Sequence, residues 1–552
     1  MKKRIEALLA GALDRAVRAG DLHGGTLPPG ALEVPKDRQF GDLAATLALT
    51  LARAERKAPR AIAETLLRHF EDPQGLVAST EIAGPGFINF KLAPRFWHEE
   101  LAGLLADPTL GVEPFGAGRR AQVEFVSANP TGPLTVGHGR NAVLGDTLAR
   151  LLEAVSYQVE REYYFNNAGR QMKVLAASVR ARYQELVGRP ADFPEDGYQG
   201  DYIRDIARQL VETKGATIAD DDEATFRAAA ESAIFEDIRA TQDRLGIRFD
   251  HYFNEDSLYA SGAIDDVLKR LEERGLIDRR EGAVWLRGEK VGLDKDRVLV
   301  KSSGEPAYRL PDIAYHENKL ARGFDLIVDV LGADHIAEHR EVAAALTGLG
   351  HDTSRIRPVI YQFVTLTRHG EQVKMSTRRA EYVTLDELLD EVGSDAARFF
   401  FLSRKSDSHL EFDLELAKKR STDNPVYYVQ YAHARIMSLY AQARTQGVAL
   451  PNGAVTADDL RALELDEEFD VIRLLASYGE VVDAAARDLE PHRVVFYLQD
   501  LAAALHRFYN HHRVLGDEAP GRVAARLAML EGVRRVLVAG LSLLGVTAPE
   551  RM

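Results

Sequence analysis

The sequence predicts a multidomain α/β protein with an N-terminal α+β domain, a central parallel-sheet domain and an all-α C-terminal domain. Apolar strand patterns alternate with amphipathic helical patterns through the middle of the chain, as in parallel sheets with crossover helices. From Asn424 onward, the patterns are helical only and are separated by prolines. With 552 residues, 45% of them hydrophobic, the chain is long enough for several domains.

Composition excludes several classes of site. The chain has no cysteine, which excludes disulfides, thiolate zinc sites and cysteine nucleophiles. A net charge of −14 argues against a uniformly basic nucleic-acid-binding protein but is compatible with local basic patches. The longest apolar stretch, residues 536–546, is too short to cross a bilayer. We therefore expect a soluble, cytoplasmic protein without a membrane partner.

Composition shifts along the chain predict the domain boundaries. Residues 1–112 carry helical patterns followed by a strand pair, and a Gly/Pro-rich linker spans residues 108–118. The Rossmann-like alternation of strand and helix occupies residues 113–423. Within it, polar turns and charged helices over about residues 186–301 indicate an insertion. The all-α domain then spans residues 424–552.

A glycine loop in the central domain has the geometry of a nucleotide site. Residues 122–150 read as a strand, a Pro/Gly-rich loop and the start of a helix, which brings backbone N–H groups to a phosphate. Gly137 and Gly139 have no side chain to block a close ligand. His138 between them can donate to a phosphate oxygen as charge builds there. The alternative is a glycine-rich turn with an exposed histidine.

The same loop also fits a dinucleotide-binding fingerprint. Residues 137–142 match G-x-G-x-x-G/A, and Glu160 and Glu162 follow at the spacing that such a fingerprint requires. The long prefix, residues 129–133, argues against it because the expected turn is tight. A GxxxxGK[ST] phosphate loop does not fit, since no Lys-Ser/Thr pair follows.

A basic loop lies downstream of the resumed alternation. Residues 373–379 read V-K-M-S-T-R-R and precede a predicted helix over residues 385–392. Lysine and arginine near the carboxyl ends of parallel strands can close over a triphosphate and neutralise its charge. The alternative is a solvated basic loop.

Two further groups indicate a cationic ligand. Tyr308 and Asp312 offer a stacking face and a bidentate carboxylate, which suit a guanidinium. The alternative is that Asp312 caps a helix over residues 313–322. Glu124, near Asn129, lies in an apolar strand and is costly to bury unpaired, so it requires a cationic substrate or a neighbouring Arg or Lys.

A short motif resembles a zinc-peptidase signature. His335, Glu338 and His339 match H-x-x-E-H, with two histidines one helical turn apart. The motif is short, and it follows the predicted strand over residues 325–331, where a parallel-sheet ligand site is expected. We interpret His335 as a substrate-side residue and expect no zinc.

The C-terminal helices carry aromatic and basic residues, including Tyr428 and Arg435. Such residues can stack on and neutralise unpaired RNA bases. Packing within the helical core is the alternative for most of them.

Taken together, six motifs resemble those of class I aminoacyl-tRNA synthetases, specifically arginyl-tRNA synthetases, over nearly the whole chain. The first signature loop is similar to the family's HIGH motif and the second to KMSKS. The remaining motifs resemble the family's extra N-terminal domain and the two ends of its anticodon-binding domain. In this sequence they are SANPTGP at 127–133, VGHG at 136–139, KMSTR at 374–378, GPGFINF at 84–90, NPVYYVQYAHAR at 424–435 and APERM at 548–552.

The resemblance implies activation of L-arginine by ATP with Mg²⁺, then transfer to the terminal ribose of tRNA(Arg), with tRNA needed for activation. It implies a monomer without a resident metal. The implied catalytic residues are His138, Lys374 and Arg378. The implied ATP contacts are Thr135, Gly137, His138, Gly139, Lys374, Met375 and Ser376. The implied arginine contacts are Glu124, Ser127, Asn129, Tyr308, Asp312 and His335. The implied tRNA contacts are Phe87 and Asn89, on the D-loop, with Tyr428 and Arg435.

Three positions depart from the family's pattern. Thr135 replaces the first histidine of the first signature, Thr377 replaces the second lysine of the other, and Asn167 stands where aspartate is usual. The competing hypotheses are a nicotinamide-dependent dehydrogenase, a zinc peptidase and a non-catalytic RNA-binding paralogue.

Overall fold

The N-terminal part of the chain folds as a four-stranded antiparallel sheet packed against helices, with strand order β1-β2-β4-β3. The computed structural model describes residues 2–28, 30–35, 37–167, 169–373, 383–516 and 520–552. The elements of this first part are α1 (Lys2–Arg18), β1 (Leu32–Glu33), β2 (Leu43–Ala45), α2 (Leu47–Glu55), α3 (Pro59–Arg68), β3 (Val77–Ala83), β4 (Phe87–Leu92) and α4 (Pro94–Ala106).

The central part is built on a five-stranded parallel sheet with strand order β12-β11-β5-β6-β7. Its first elements are β5 (Arg120–Glu124), α5 (Val136–Ala154), β6 (Gln158–Phe165), α6 (Arg170–Leu186), α7 (Asp201–Lys214), α8 (Glu223–Arg244), β7 (His251–Asn254), α9 (Asp256–Ala260), α10 (Ala263–Glu273), β8 (Ile277–Arg280), β9 (Ala283–Leu286), α11 (Gly288–Val291) and β10 (Arg297–Val300). Strands β8, β9 and β10 form a separate small antiparallel sheet.

The alternation then resumes and ends in a second small sheet of order β14-β13-β15. The elements are α12 (Arg309–Ala321), β11 (Leu326–Gly332), α13 (Ile336–Gly348), β12 (Ile356–Tyr361), β13 (Val364–Arg368), β14 (Glu371–Gln372), α14 (Leu385–Val392), α15 (Ser394–Phe401), β15 (Leu410–Asp413) and α16 (Leu414–Lys418). The C-terminal part is helical, with α17 (Pro425–Thr445), α18 (Asp466–Asp488), α19 (His492–His511) and α20 (Pro520–Leu543).

This architecture confirms the predicted multidomain α/β fold class. One strand of the central sheet lies where the sequence predicted an insertion, residues 186–301: β7 pairs in parallel with β6 and forms an edge of that sheet. Four residues among charged helices give too short a pattern to recognise as a strand. Within the described part of the chain, no helix combines the length and apolar composition that crossing a membrane requires.

Both faces of the parallel sheet are buried, as crossover topology requires. One core is continuous through all three parts of the chain and includes Trp97, Phe125 and Leu475. A second core lies on the other face, where Ile327 of β11 packs with side chains from α12 and α13, among them Ile313. The carboxyl ends of the strands therefore sit between two rigid layers, which fixes the side chains at those ends.

A buried ion cluster, which we call the Arg398 junction, joins α5 to the C-terminal helices. Arg398 is fully buried, and its guanidinium pairs with Asp146 of α5. The same guanidinium donates to the carbonyls of Leu544, at 2.7 Å, and Leu245, at 2.9 Å. Gly545 makes room for it, since a Cβ there would lie 2.3 Å from the guanidinium carbon. Elements distant in sequence thus meet at one cation.

Candidate active site

The predicted glycine loop leads into the first turn of α5. Thr135 precedes the helix, and its backbone N–H donates to Nδ1 of His138 at 3.1 Å. Because Nδ1 accepts, the ring proton resides on Nε2. Burial lowers the pKa of His138 to about 4, so the imidazole is neutral at pH 7. His138 is therefore a neutral Nε2–H donor, oriented by the residue that replaces the first histidine of the family signature.

The two glycines of the loop have different surroundings. A Cβ on Gly137 would meet only Thr135 Oγ1, at 3.7 Å, so this position is open to a ligand. A Cβ on Gly139 would lie 2.6 Å from Leu385 and 3.1 Å from Phe401, on α14 and α15. In this structure Gly139 therefore serves the packing of α5 against α14 and α15.

The chain turns sharply after β5. Val126 and Ser127 both have positive φ, at 64° and 41°, which is strained for non-glycine residues. The turn is held from α5, where the side-chain oxygen of Asn141 accepts from the Val126 N–H at 2.6 Å. Backbone strain of this kind persists only where the surrounding structure maintains it, and it is concentrated at functional sites.

Glu124, at the end of β5, is paired within the chain. The Lys319 ammonium bonds one of its carboxylate oxygens, and the Ser127 hydroxyl donates to the other at 2.9 Å. Of the two partners that the sequence left open for Glu124, the neighbouring lysine is therefore present. The side chain of Glu124 stays partly accessible, and Asn129 is exposed nearby in sequence.

Asp312 lies inside α12 and does not cap it. The helix begins at Arg309, with Tyr308 at the N-cap position, so the capping alternative is wrong. Pro311 occupies the first turn of the helix, where its missing N–H costs no hydrogen bond. The helix can therefore begin before the proline, and the predicted start at residue 313 was too late. The Asp312 carboxylate forms no hydrogen bond with a described residue. The Tyr308 side chain is 69% exposed.

Carboxylates from other elements surround Asp312. Burial, followed by the charges of Glu338, Glu124 and Glu255, raises the pKa of Asp312 well above its usual range. Lys319 opposes this effect but does not cancel it. Several carboxylates in one pocket disfavour one another's ionisation, and a bound cation reduces this electrostatic repulsion. Sequence reasoning missed Glu255, which follows the hidden strand β7.

The two histidines of the H-x-x-E-H motif face different groups. His335 is more than half exposed and lies 3.7 Å from Glu338, whose carboxylate raises the pKa of His335. His339 points inward, with Nε2 at 3.3 Å from a carboxylate oxygen of Asp329. The motif therefore does not bring its own two histidines together.

His339 instead converges with His316 and Asp329, whose potential ligand atoms all lie within 4.8 Å of one another. Such a group can hold a metal ion. Here, however, Nζ of Lys319 lies 2.7 Å from the other oxygen of Asp329. Burial raises the pKa of Asp329, but Lys319 and His316 outweigh it and hold that pKa well below its usual range. The carboxylate charge is thus already compensated by the chain's own cation.

The basic loop lies outside the described residues, which stop at 373 and resume at 383. This gap contains Lys374, Met375, Ser376, Thr377 and Arg378. Where the described chain resumes, it contacts the glycine loop. Thr384 forms an isolated antiparallel bridge with Thr135, and the Leu385 N–H donates to the Leu134 carbonyl at 2.8 Å.

In the N-terminal part, Phe87 and Asn89 lie two residues apart on β4 and so share a face. Asn89 lines a cavity of about 460 Å³ between this sheet and α18. Its amide nitrogen is buried and has no hydrogen-bond partner among the described residues. Phe87 is half-buried.

In the C-terminal part, Tyr428 and Arg435 belong to one half-buried aromatic cluster. The Arg435 guanidinium lies over the ring of Tyr509, 4.1 Å from its centroid, and bonds His506 at 3.1 Å. The ring centroids of Tyr428 and His506 are 4.6 Å apart. The cluster packs α17 on α19 and keeps part of its rings accessible.

Comparison with protein families gives matches along most of the chain. Residues 103–411 match the model described as "tRNA synthetases class I (R), catalytic domain". Residues 3–92 match "Arginyl tRNA synthetase N terminal domain", and residues 429–552 match "DALR anticodon binding domain".

Individual relatives agree with the family models. The chain is 47% identical to an "Arginine--tRNA ligase" of Desulfotalea psychrophila, over 99% of this chain and 100% of the relative. It is 48% identical to one of Syntrophotalea carbinolica, over 100% of both chains. A crystal structure titled as a putative arginyl-tRNA synthetase from Campylobacter jejuni is 32% identical, covers 84% of this chain and all of its own, and has a TM-score of 0.75. The chain belongs to the arginyl-tRNA synthetase family.

Proposed function

We propose that this chain is an arginine–tRNA ligase, which joins L-arginine to the 3′-terminal ribose of tRNA(Arg) at the expense of ATP. The observation that carries the proposal is the carboxylate pocket around Asp312, together with the neutral His138 at the start of α5. The pocket suits a guanidinium, and the helix N-terminus suits a phosphate.

Activation would proceed by attack of the arginine carboxylate oxygen on the α-phosphorus of Mg²⁺-bound ATP. The bond to the bridging oxygen breaks, and diphosphate leaves. His138 would donate its Nε2 proton in a hydrogen bond to the phosphate oxygens without transferring it, because its low pKa keeps the ring neutral throughout. The open face of Gly137 would admit the nucleotide, next to Thr135 and Gly139. Lys374 and Arg378, with Met375 and Ser376, would stabilise the departing diphosphate.

The amino acid would lie along α12. Asp312 and Tyr308 would read the guanidinium, through an ionic pair and a stacking face, and His335 would be a further contact on the substrate side. Glu124, Ser127 and Asn129 would hold the α-ammonium end. A terminal ribose hydroxyl of tRNA would then attack the arginyl carbonyl carbon, and AMP would leave.

The tRNA would contact several parts of the chain. In this proposal, residues 1–112 recognise the D-loop through Phe87 and Asn89, and residues 424–552 bind the anticodon through Tyr428 and Arg435. Residues 113–423 perform the chemistry. We further propose a cytoplasmic monomer that uses no zinc, since Lys319 already compensates Asp329 in the His316–Asp329–His339 group.

Exchange of labelled diphosphate into ATP tests the function directly. All twenty amino acids are assayed separately, with and without total tRNA. We expect exchange with arginine and tRNA together, and none with either alone. Equal exchange with another amino acid, or no exchange with arginine and tRNA despite tRNA binding, would contradict the proposal. The second result would favour a non-catalytic RNA-binding protein, the hypothesis that the Thr135 and Thr377 departures support.

A further inference from the structure

Glu124, the last residue of β5, lies side by side with Asp329, in the middle of the neighbouring strand β11. They are register partners in the parallel pairing of β5 with β11, so both side chains leave the same face of the sheet. The side chain of Asp329 is 2% exposed, and that of Glu124 keeps 12% of its surface accessible. Two like charges placed side by side in this way destabilise a sheet unless a cation separates them.

Lys319 supplies that cation. Its side chain is fully buried, and Nζ bonds both carboxylates, that of Asp329 at 2.7 Å. Nζ also lies 4.4 Å from the ring centroid of Tyr315, which adds a cation–π interaction. Burial lowers the pKa of Lys319, but the charges of Asp329 and Glu124 outweigh it, and the pKa lies above its usual value. Lys319 is therefore charged at every pH at which the protein works.

The far side of this ion cluster is also fixed. Nε2 of His316 and Nε2 of His339 lie 3.1 and 3.3 Å from the second oxygen of Asp329. His316 donates from Nδ1 to the carbonyl of Asp312 at 2.8 Å. Contacts from α12 and α13 thereby hold the Asp329 carboxylate, which bonds Lys319 through its other oxygen.

Lys319 and Asp312 share one face of α12. They are seven residues apart, two helical turns, which places them about 10 Å from each other along the axis. Asp312 points into the carboxylate pocket, whereas Lys319 reaches the oxygen of Glu124 that Ser127 does not bond. Helix α12 thus carries both Asp312, which would bind the guanidinium, and Lys319, which positions Glu124.

We propose that Lys319 is a positioning residue for the amino-acid substrate. It holds the Glu124 carboxylate at the end of the pocket that would bind the α-ammonium. Because Lys319 and Asp312 are on the same helix, α12 fixes the distance between Glu124 and Asp312. This inference rests on the proposed function, because it requires Glu124 to receive the α-ammonium of arginine. Lys319 itself touches no reacting atom.

The test compares arginine with 5-guanidinopentanoic acid, which lacks the α-amino group. The analogue competes with arginine in the tRNA-dependent exchange assay, and the ratio of its inhibition constant to the arginine KM measures recognition of that group. In Lys319→Met we expect the ratio to fall towards one. The arginine KM should rise by about 100-fold, as misplacement of a binding group by about 1 Å commonly costs. The ATP KM should keep its wild-type value.

A double-mutant comparison separates positioning from general damage. The effect of Lys319→Met on the ratio should vanish in a Glu124→Gln background, because the carboxylate it positions is then gone. Lys319→Gln, which keeps a donor for one carboxylate, provides a milder variant with the same expected direction if Lys319→Met does not fold. Arg526→Met is the matched control. It breaks a buried ion pair with Glu468 in the C-terminal helices and should lower stability while leaving the ratio unchanged.

A wild-type ratio in a Lys319 variant that binds tRNA normally would overturn the inference. Persistence of the Lys319→Met effect without the Glu124 carboxylate would overturn it as well. If wild-type protein shows no arginine-dependent exchange, the proposed function fails instead, and this outcome is visible before any variant is assayed.

Discussion

Single residues of the pocket are linked by charge across large distances in the chain. Tyr308 and Asp312 could be recognised from sequence because an aromatic and a carboxylate lie four residues apart, the spacing of one helical turn. The partner of Glu124 could not, since Lys319 is 195 residues away and any of many lysines was compatible with the pattern. Ion pairs between elements depend on the sheet register, which local sequence does not contain.

The raised pKa of Asp312 predicts proton release when arginine binds. In the empty pocket, burial and neighbouring carboxylates favour the protonated form, whereas a bound guanidinium favours the ionised form. Arginine affinity should therefore rise with pH through the raised pKa and level off above it. Calorimetry in buffers of different ionisation enthalpy measures the proton directly, and a pH-independent affinity over the acidic range would contradict this account.

Asp312→Asn provides the corresponding variant. It should remove the proton release and raise the arginine KM by about 100-fold or more, because it leaves the guanidinium without its charged partner. Discrimination against citrulline, the neutral analogue of arginine, should weaken in parallel. Asp352→Asn is the control, since that exposed aspartate caps a short turn away from the pocket. An unchanged arginine KM in Asp312→Asn would remove Asp312 from the site.

Elements with strong local signals were predicted well. Helix α14 begins and ends at the predicted residues, and Thr384 and Glu387 explain the start, since each side chain caps the other's backbone N–H. Strand β7 was missed because its pairing with β6 gives it stability that its four residues do not show. Helix α5 was recognised from its glycines, yet only the structure separates what each glycine does.

The two glycines of α5 give a matched pair of variants. Gly139→Ala should force α5 away from Leu385 and Phe401 and destabilise the protein by about 1–3 kcal/mol. Gly137→Ala meets open space, so its thermal stability should stay near the wild-type value while the ATP KM rises, since the methyl group would occupy nucleotide space. Differential scanning fluorimetry with exchange kinetics distinguishes the two. A normal ATP KM in a stable Gly137→Ala protein would argue against nucleotide contact there.

For the whole molecule, alternation of strand and helix was sufficient to predict three parts but not how they meet. The contacts between parts rely on long side chains that reach distant backbone. Arg535, on α20, donates to the carbonyls of Leu105, in the last turn of α4, and Asp107, just after it. Arg473 bonds Asp42 at 2.8 Å. A surface arginine and a junction arginine look alike in sequence, so only the fold distinguishes them.

The Arg398 junction should be essential to the resistance of the enzyme to heat. Arg398→Met leaves Asp146 buried with a weaker set of partners, and loss of one member of such a pair costs about 3–5 kcal/mol. The half-life of exchange activity at elevated temperature should shorten markedly. Arg493→Met, which removes a surface pair, should change it little. Equal half-lives for the two variants would show that the junction does not hold the parts together.

The same junction matters to anyone who would divide this enzyme into pieces. A gene fragment that stops before α17 retains Arg398 and Asp146 but discards Leu544, the acceptor at the far end of the chain. The cut would also uncover the apolar face of α5 that α18 and α20 now cover. A minimal catalytic fragment would therefore need the terminal helix supplied as a separate peptide.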